Sequence, residues 1–353
     1  MINPMWTPTP ESIELSNMTE FSRQVTADWG EDIQGYGDLY QWSIDHPEKF
    51  WSAVWDYGQI VGYKGETVLT DGDSMLDARW FPDAQLNFAE NLLRRDDEGD
   101  AIVFWGEDRI KSRVKHGQLY DQVSRIAQAL KAAGVESGDR VAAYMPNVPE
   151  TMMAMLAVTS LGAVWSSCSP DFGVRSAADR FGQIEPKVIF TANGYFYNGK
   201  VHDSLAQVSE IAAQLPSIEK IVVVPYTEIN PVIPEDLVVK SVLLESFIAP
   251  YSVEKINFEQ VDFNHPLYIM FSSGTTGVPK CIVHSVGGTL LQHLKEHQLH
   301  LNIKRDDRLF YFTTCGWMMW NWLVSGLAAG ATIMLYDGSP FYPSGNILFG
   351  GFG

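Results

Sequence analysis

The sequence has few cysteines and few basic residues for its length. Its 353 residues include three cysteines, and 25 Lys and Arg residues stand against 43 Asp and Glu, which gives a formal net charge of -18. An odd, sparse set of cysteines does not form a disulfide framework and is typical of a reducing compartment, so we expect a cytosolic protein. A strongly acidic chain without a Lys/Arg-rich block is a poor general binder of nucleic acid, and we expect no nucleic-acid partner.

The sequence also lacks a clear secretory signal or membrane anchor. Its first residues contain no basic stretch followed by an apolar one. Residues 315–335 are uncharged and numerous enough to cross a bilayer, but they include three glycines and Asn321. We interpret them as a buried helix at about 318–329 and a buried strand at 331–335, of the kind that parallel α/β folds cover on both faces. We therefore expect no membrane span, and the oligomeric state is left open.

Two regions of different character meet near residue 100. Residues 1–100 are rich in aromatic side chains and contain two short predicted helices, at 38–54, separated at Pro47; we interpret this region as packing onto a larger body. From residue 101, short apolar strands alternate with helices, some of which end at Gly134 and Gly162. Strands are predicted at 101–107, 140–145, 163–167, 187–191, 220–225, 266–272, 308–313 and 331–335, and helices at 118–133, 150–161, 177–184, 201–214, 287–301 and 318–329.

This alternation predicts an α/β fold built from βαβ units around parallel sheets. An irregular stretch at 230–260 separates the units into two blocks, which we interpret as two stacked lobes. Residues 101–353 then form one large domain.

The most informative segment is MFSSGTTGVPK, at 270–280. An apolar strand breaks into glycines and hydroxyl side chains, which let the backbone approach a ligand and donate hydrogen bonds to phosphate oxygens. Lys280 adds a positive charge. The segment is not the Walker pattern G-x-x-x-x-G-K-[ST], because Lys280 neither follows a glycine nor precedes a hydroxyl residue. We prefer a phosphate-binding loop to an ordinary flexible turn.

This segment resembles the phosphate loop of the adenylate-forming superfamily, which includes acyl-CoA synthetases, luciferases and adenylation domains. Residues 81–93 resemble the N-terminal segment of short-chain acyl-CoA synthetases. Further segments, at 165–173, 179–187, 284–297, 316–322 and 335–343, resemble the acetoacetyl-CoA synthetase branch. The resemblance covers residues 36 to 348.

The resemblance implies a two-step ligation of acetoacetate to CoA through an acetoacetyl-adenylate, with ATP, Mg²⁺ and CoA as substrates and cofactors. It assigns the ATP phosphates to Ser272, Ser273, Gly274, Thr275, Thr276, Gly277 and Lys280. It assigns the acyl pocket to Trp317, Met318 and Met319, whose bulk would admit only a short acid; core packing of these side chains is the alternative. It assigns CoA contacts to Trp165, Ser166, Ser167 and Lys200, the last of which is otherwise an exposed lysine in a turn.

Other patterns point to no site of their own. His293, His297 and His300 lie at helical spacing, but HExxH is absent, and we interpret them as a partly polar helix face without a metal. Asp171 and Asp179 are interpreted as cap or surface groups, and Cys281 as a packing cysteine.

The sequence departs from its family in length. Similar synthetases are nearly twice as long and carry later an adenine-binding segment, a glutamate that holds Mg²⁺ and a C-terminal lysine for adenylation. We therefore expect the catalytic residues to lie beyond residue 353 and the isolated chain to have little or no turnover. The alternatives are a ligase for acetate or propionate and a catalytically inactive nucleotide-binding module.

Overall fold

The computed structural model describes residues 5–237, 240–272 and 277–351. The helices in chain order are α1 (Pro10–Glu14), α2 (Asn17–Trp29), α3 (Tyr36–Asp45), α4 (Pro47–Tyr57), α5 (Phe88–Leu92), α6 (His116–Ala132), α7 (Pro149–Ser160), α8 (Gly173–Ile184), α9 (Leu205–Gln214), α10 (Leu244–Ile248), α11 (Val286–Leu294), α12 (Met318–Val324) and α13 (Ile347–Gly351). Short 3₁₀ turns occupy Pro170–Phe172 and Ser325–Ala329, and a π-helix, Lys295–His300, continues α11.

Helices and strands both contribute to the core. In chain order the strands are β1 (Gly62–Tyr63), β2 (Leu69–Thr70), β3 (Arg79–Trp80), β4 (Gln85–Leu86), β5 (Asp100–Gly106), β6 (Ile110–Lys115), β7 (Arg140–Tyr144), β8 (Val164–Cys168), β9 (Val188–Ala192), β10 (Gly194–Tyr197), β11 (Lys200–Asp203), β12 (Lys220–Val224), β13 (Ser241–Leu243), β14 (Val261–Asp262), β15 (Pro266–Phe271), β16 (Cys281–Ser285), β17 (Arg308–Phe310) and β18 (Thr332–Asp337).

Two larger sheets organise the molecule. The seven-stranded sheet has the order β13-β12-β9-β7-β8-β15-β16, and it is parallel except for the antiparallel pair β15–β16 at one edge. The four-stranded sheet has the order β17-β18-β5-β6, with β5–β6 as its antiparallel pair. The predicted α/β class with parallel sheets is confirmed.

Each of the two larger sheets contains strands from both sides of the irregular stretch at 230–260. β5 precedes the irregular stretch in sequence but pairs with β18, and β15 follows that stretch but pairs with β8. Periodicity identifies a strand without identifying its partner, because pairing depends on which apolar faces pack together in three dimensions. The two sequence blocks therefore do not each form a sheet of their own.

One predicted helix begins later than expected. Residues 200–203 form β11 instead of the start of a helix at 201, and α9 begins at Leu205. The cause is the Asn198-Gly199 turn between β10 and β11, where both residues have positive φ, 53° and 73°. Asn-Gly is the strongest short hairpin signal, since both residues tolerate the left-handed conformation that a tight hairpin turn requires.

The aromatic region at the start of the chain packs onto the body as expected, but only in part. Trp42, Trp55 and Phe81 are buried in the main core, whereas Trp6 and Tyr36 are exposed. α3 and α4 are separated at Pro47 as predicted.

Hydrogen bonds join this region to residues almost three hundred positions later. The side-chain amide of Asn17 donates to the Gln298 and Ile303 carbonyls at 3.0 Å each. Its backbone N–H donates to Asn302 Oδ1 at 2.8 Å. The start of α2 is therefore fixed to the end of the π-helix.

Most of the segment 315–335 is buried as predicted, since the later part of α12, its 3₁₀ continuation and β18 belong to the core, whereas Trp317 is exposed and Met318 and Met319 are half-buried. Within the described residues, no helix is long and apolar enough to cross a bilayer.

Two buried carboxylates lie where the ends of the strands meet. Glu107, just after β5, accepts hydrogen bonds from the N–H groups of Asn198 (2.6 Å), Gly199 (3.1 Å) and Ser339 (3.0 Å). It thereby attaches the β10–β11 hairpin to the smaller sheet. Sequence reasoning missed this role, because an isolated glutamate after a strand carries no local signal of burial.

Asp337, at the end of β18, joins the two larger sheets. Its carboxylate accepts hydrogen bonds from the N–H of Asn147 (3.0 Å), after β7, and from the hydroxyl of Tyr226 (3.2 Å), after β12. Burial raises the pKa of Asp337 to about 7, although both hydrogen bonds lower it.

We predict that Asp337 makes the stability of the chain depend on pH. Because its pKa is raised in the native state, its contribution to stability is present below the unfolded pKa near 4 and is lost as the pH rises through about 7. The Asp337→Asn variant should lack this loss. The free energy of unfolding of the wild type, relative to the variant, should fall by about 1–2 kcal/mol between pH 6 and pH 8.5, measured by urea denaturation.

Burial lowers the pKa values of His293 and His297 to about 3 and about 4, so their stabilising contribution is lost as the pH falls below 6.5. This effect on stability has the opposite pH dependence to that of Asp337. It is the same in the wild type and in Asp337→Asn, so it cancels in the difference between them. Asp179→Asn, on the surface, is the matched control. A wild-type-to-Asp337→Asn difference that is constant from pH 6 to pH 8.5 would contradict the assignment.

Candidate active site

The candidate site lies at the carboxyl ends of β8 and β15, which are parallel neighbours in the larger sheet. The segment that leads from β17 to α12 crosses these ends. The Ser167 hydroxyl donates to the Cys315 carbonyl at 2.6 Å, and the Cys315 thiol donates to the Met145 carbonyl at 2.7 Å. Ligands of open α/β sheets bind at this edge, so the crossing segment forms one wall of the candidate site.

The predicted phosphate loop joins β15 to β16, which pair with each other in antiparallel fashion. The Ser272 N–H donates to the Lys280 carbonyl at 3.0 Å, and the Lys280 N–H donates to Ser272 Oγ at 3.4 Å. The side chain of Lys280 is exposed and Gly277 has a φ of 98°. The remaining predicted phosphate ligands, Ser273, Gly274, Thr275 and Thr276, lie outside the described residues. The base of the loop is therefore closed by hydrogen bonds between two strands of a rigid sheet.

The predicted acyl-pocket segment lies beside β15, the strand that leads into the predicted phosphate loop. Trp317 is 59% exposed and lies 6.5 Å from the Phe172 ring, whereas Met318 and Met319 are half-buried. Met318 Sδ lies 4.0 Å from the hydroxyl of buried Tyr268 on β15. Core packing, the alternative interpretation, does not describe Trp317.

Gly316 allows this close approach. A Cβ atom there would lie 2.9 Å from the Phe172 ring and 3.4 Å from the Ser169 nitrogen. A side chain at residue 316 would therefore push the Trp317 segment away from β8.

Asn321 is a buried polar residue that the prediction left out. Its amide nitrogen lies 3.1 Å from Met270 Sδ, and its amide oxygen has no hydrogen-bond partner among the described residues. Asn321 follows Met319 by two residues in the segment GWMMWNW. The resemblance of this segment therefore included Asn321, but the acyl-pocket prediction took only the bulky residues Trp317, Met318 and Met319.

The predicted CoA residues fall into two groups. Trp165, Ser166 and Ser167 are buried in β8, where Ser166 Oγ donates to the Ile269 carbonyl at 2.9 Å. Trp165 is 1% exposed and stacks on Trp320, so this group supports the sheet and presents little surface to a ligand. Lys200, in β11, is exposed on the separate two-stranded sheet.

The thiols at the site are not nucleophiles near neutral pH. Burial raises the pKa of Cys168 to about 12 and raises that of Cys315 well above its usual range. Cys281, read from the sequence as a packing cysteine, is exposed instead. Among the described residues, the site therefore offers no thiolate nucleophile near neutral pH.

Two of the three histidines, His293 and His297, lie in a buried hydrogen-bond network, whereas His300 is exposed. His293 Nδ1 lies 2.8 Å from Ser325 Oγ, and His297 Nε2 lies 2.9 Å from the Trp322 carbonyl. These contacts attach the π-helix to the end of α12, which begins at the acyl-pocket segment.

Two family models match the chain. The model described as AMP-binding enzyme matches residues 92–350, and the model described as acetyl-coenzyme A synthetase N-terminus matches residues 36–92. The chain belongs to the AMP-binding enzyme family. This confirms the resemblance drawn from the loop at 270–280.

Individual relatives agree with the family. The chain is 53% identical to acetoacetyl-coenzyme A synthetase of Rhizobium meliloti (strain 1021), over 98% of this chain and 53% of the relative. It is 44% identical to acetoacetyl-CoA synthetase of Gallus gallus, over 98% and 52%. It is 42% identical to malonamoyl-CoA synthetase of Penicillium aethiopicum, over 93% and 47%.

A solved structure agrees as well. Acetoacetyl-CoA synthetase from Streptomyces lividans superposes on the chain with a TM-score of 0.91 at 41% identity, covering 97% of this chain and 52% of that one. The chain thus spans about half the length of the curated relatives it matches.

Proposed function

We propose that this chain supplies the phosphate-binding and acyl-binding half of an ATP-dependent acetoacetate–CoA ligase. The observation that carries the proposal is the meeting of two segments at one edge of the larger sheet: the hairpin that bears the Gly/Ser/Thr loop and the Gly316–Met318 segment beside it. One segment has the chemistry to hold phosphates and the other to enclose a small acyl group.

The proposed reaction has two steps. The acetoacetate carboxylate attacks the α-phosphorus of ATP, a P–O bond breaks, and pyrophosphate leaves with its electron pair. The CoA thiolate then attacks the acyl carbonyl, and AMP leaves. A carboxylate is already ionised near neutral pH, so the first step needs no general base, only orientation and stabilisation of the developing charge.

The residues of this chain would act by orientation. We propose that the phosphates receive hydrogen bonds and positive charge from the loop residues Ser272, Ser273, Gly274, Thr275, Thr276, Gly277 and Lys280. Trp317 and Met318 would hold the acyl group beside them. Mg²⁺ supplies charge neutralisation on the phosphates when it is bound. The described residues contain no group of three or more His, Cys, Asp or Glu side chains that could hold a metal, so we assign it no protein ligand.

The proposal also covers the binding of CoA and the cellular compartment of the protein. We propose that Lys200 contacts a phosphate of CoA, because it is exposed on a hairpin that Glu107 holds in place. The free thiols Cys168, Cys281 and Cys315 support a reducing compartment such as the cytosol. We propose that residues 1–100 and 101–353 are two regions of different sequence character. Both regions contribute side chains to one hydrophobic core.

We predict that the acid specificity favours acids with a carbonyl group at the third carbon. Acetoacetate and malonamate share this carbonyl and are nearly equal in size, and relatives are named for the CoA esters of both. Acetoacetate should exceed acetate and propionate in kcat/KM by roughly tenfold or more, because the smaller acids leave pocket contacts unmade. The measurement is pyrophosphate release with a panel of these four acids.

The panel requires the second half of the enzyme. We would use a fusion protein in which residues 1–353 of this chain precede the second half of the Rhizobium meliloti relative, with that relative itself as the positive control. Preference for acetate or propionate would replace acetoacetate as the substrate. A folded fusion protein that binds Mg-ATP but activates no acid would favour the inactive nucleotide-binding module.

A further inference from the structure

Arg180 is a nearly buried cation close to the phosphate loop. It lies on α8, it is 9% exposed, and its guanidinium stacks 4.6 Å above the Phe172 ring and 5.9 Å from the Phe271 ring. Phe271 is the last residue of β15, immediately before Ser272. Arg180 therefore lies where the strand enters the phosphate loop.

No carboxylate balances this charge among the described residues. Arg180 Nη1 donates to the carbonyl of Ser176, at 2.8 Å, and to the Ser176 hydroxyl, both on its own helix. The neighbouring Asp179 forms its ion pair with Arg175 instead, at 3.9 Å. Burying an ionised group is costly unless a partner compensates it, so an uncompensated and nearly buried arginine indicates an anionic ligand.

Arg180 lines a cleft that could receive such a ligand. The cleft has a volume of about 480 Å³ and is formed by residues 172–176, Asp179, Arg180 and Pro279. It includes the first turn of α8, whose N-cap residue Phe172 provides no side-chain hydrogen bond. The free N–H groups of that turn favour an anion.

The cleft and the phosphate loop are linked directly. Pro279 belongs to both, and the Gln183 side chain donates to the Pro279 carbonyl at 2.9 Å. Gln183 lies one helical turn after Arg180, so the two side chains of α8 reach the two ends of the loop.

The last two side chains of β15 face different surroundings. Met270 contacts Asn321 on the acyl side of β15, whereas Phe271, the next residue, contacts Arg180 on the α8 side. Successive side chains of a strand point to opposite faces, so Met270 faces the acyl side of β15 and Phe271 faces α8. Phe172 contacts both Trp317 and Arg180, so the cleft adjoins the predicted acyl pocket at this ring.

We propose that Arg180 and the first turn of α8 bind the diphosphate group of ATP and of the pyrophosphate that the first step releases. This inference rests on the proposed function and adds a second cation to Lys280. An arginine fork matches adjacent phosphate oxygens, and its stacking between two aromatic rings fixes it in position.

The test is binding of inorganic pyrophosphate with Mg²⁺ to the 353-residue chain, measured by isothermal titration calorimetry. Arg180→Gln should weaken binding at least roughly tenfold, the loss of one charge-assisted contact, and Arg180→Lys should lie between it and the wild type. Arg113→Gln, at an exposed arginine paired with Asp100 across β5–β6, is the matched control and should bind like the wild type.

Several results would overturn the inference. The first is that the wild type and Arg180→Gln bind pyrophosphate with equal affinity. The second is that the wild type does not bind pyrophosphate. The third is that Arg180→Gln loses CoA binding but retains pyrophosphate binding. If circular dichroism shows that Arg180→Gln does not fold, Arg180→Lys becomes the test. A pyrophosphate affinity below that of the wild type then supports the inference, and an affinity equal to that of the wild type contradicts it. Activation of acetoacetate by the fusion protein tests the proposed function separately, since it does not depend on where pyrophosphate binds.

Discussion

Alanine at Thr275, Thr276 and Lys280 together is expected to lower the rate of pyrophosphate release by the fusion protein at least roughly 100-fold. The reason is electrostatic. The first step concentrates negative charge on the phosphates, and fixed donors that face that charge act most strongly in the transition state. Lys280 is exposed at the base of the hairpin, so its removal should leave the sheet intact.

The expected signature is a loss in kcat/KM for ATP with little change in the free energy of unfolding. A control variant, Thr26→Ala with Lys131→Ala, removes similar groups from exposed positions far along the sequence from the loop. If the loop variant is folded and still forms acyl-adenylate at the wild-type rate, the loop does not hold ATP and the proposed function loses its basis.

Replacing Trp320 by alanine is expected to lower the free energy of unfolding by roughly 3–5 kcal/mol. Trp320 is completely buried, stacks on Trp165 with ring centroids 6.5 Å apart, and donates through Nε1 to Asn147 Oδ1 at 2.9 Å. The substitution leaves a cavity and also leaves the Asn147 oxygen without a donor. Asn147 itself donates to the Tyr336 carbonyl, so the loss reaches β18.

Chemical denaturation of the 353-residue chain, followed by circular dichroism, measures this effect. Trp317→Ala is the control from the same segment, because Trp317 is exposed and should change stability by less than about 1 kcal/mol. Trp320→Phe should fall between them, since it keeps a ring but loses the hydrogen bond. Equal stabilities of the two alanine variants would show that Trp320 does not contribute in this way.

The sequence predicted local elements well because their signals are local. Gly134 and Gly162 were read as helix stops, and both have positive φ, 82° and 69°, just after α6 and α7. A glycine after an apolar helical face indicates the helix end directly, since few other residues adopt that conformation.

Pairing and short edge strands were harder to predict. β16 is a half-exposed strand between a loop and a helix, and its apolar residues do not alternate with polar ones. β5 carries the same kind of apolar run as the strands of the larger sheet, although it belongs to the smaller one. The choice of sheet is made by packing between distant segments.

The same distinction between local and long-range signals applies to the candidate site. The loop at 272–280 could be found because its chemistry lies in consecutive residues. Arg180, Glu107 and Asp337 could not, because their importance comes from burial and from the presence or absence of partners that the sequence places far away.

The bonds from Asn17 to the end of the π-helix bear on how the chain forms during translation. Asn17 leaves the ribosome first, but its partner Asn302 lies 285 residues later. At ribosomal speeds of about 5–20 residues per second, roughly 15–60 s pass before that partner emerges. During this interval the start of α2 lacks these late bonds, and the contacts already available to it are local ones, such as the hydrogen bond from the Tyr57 hydroxyl to the Asn17 carbonyl at 3.3 Å and the packing of Phe21 against Phe50 and Tyr57.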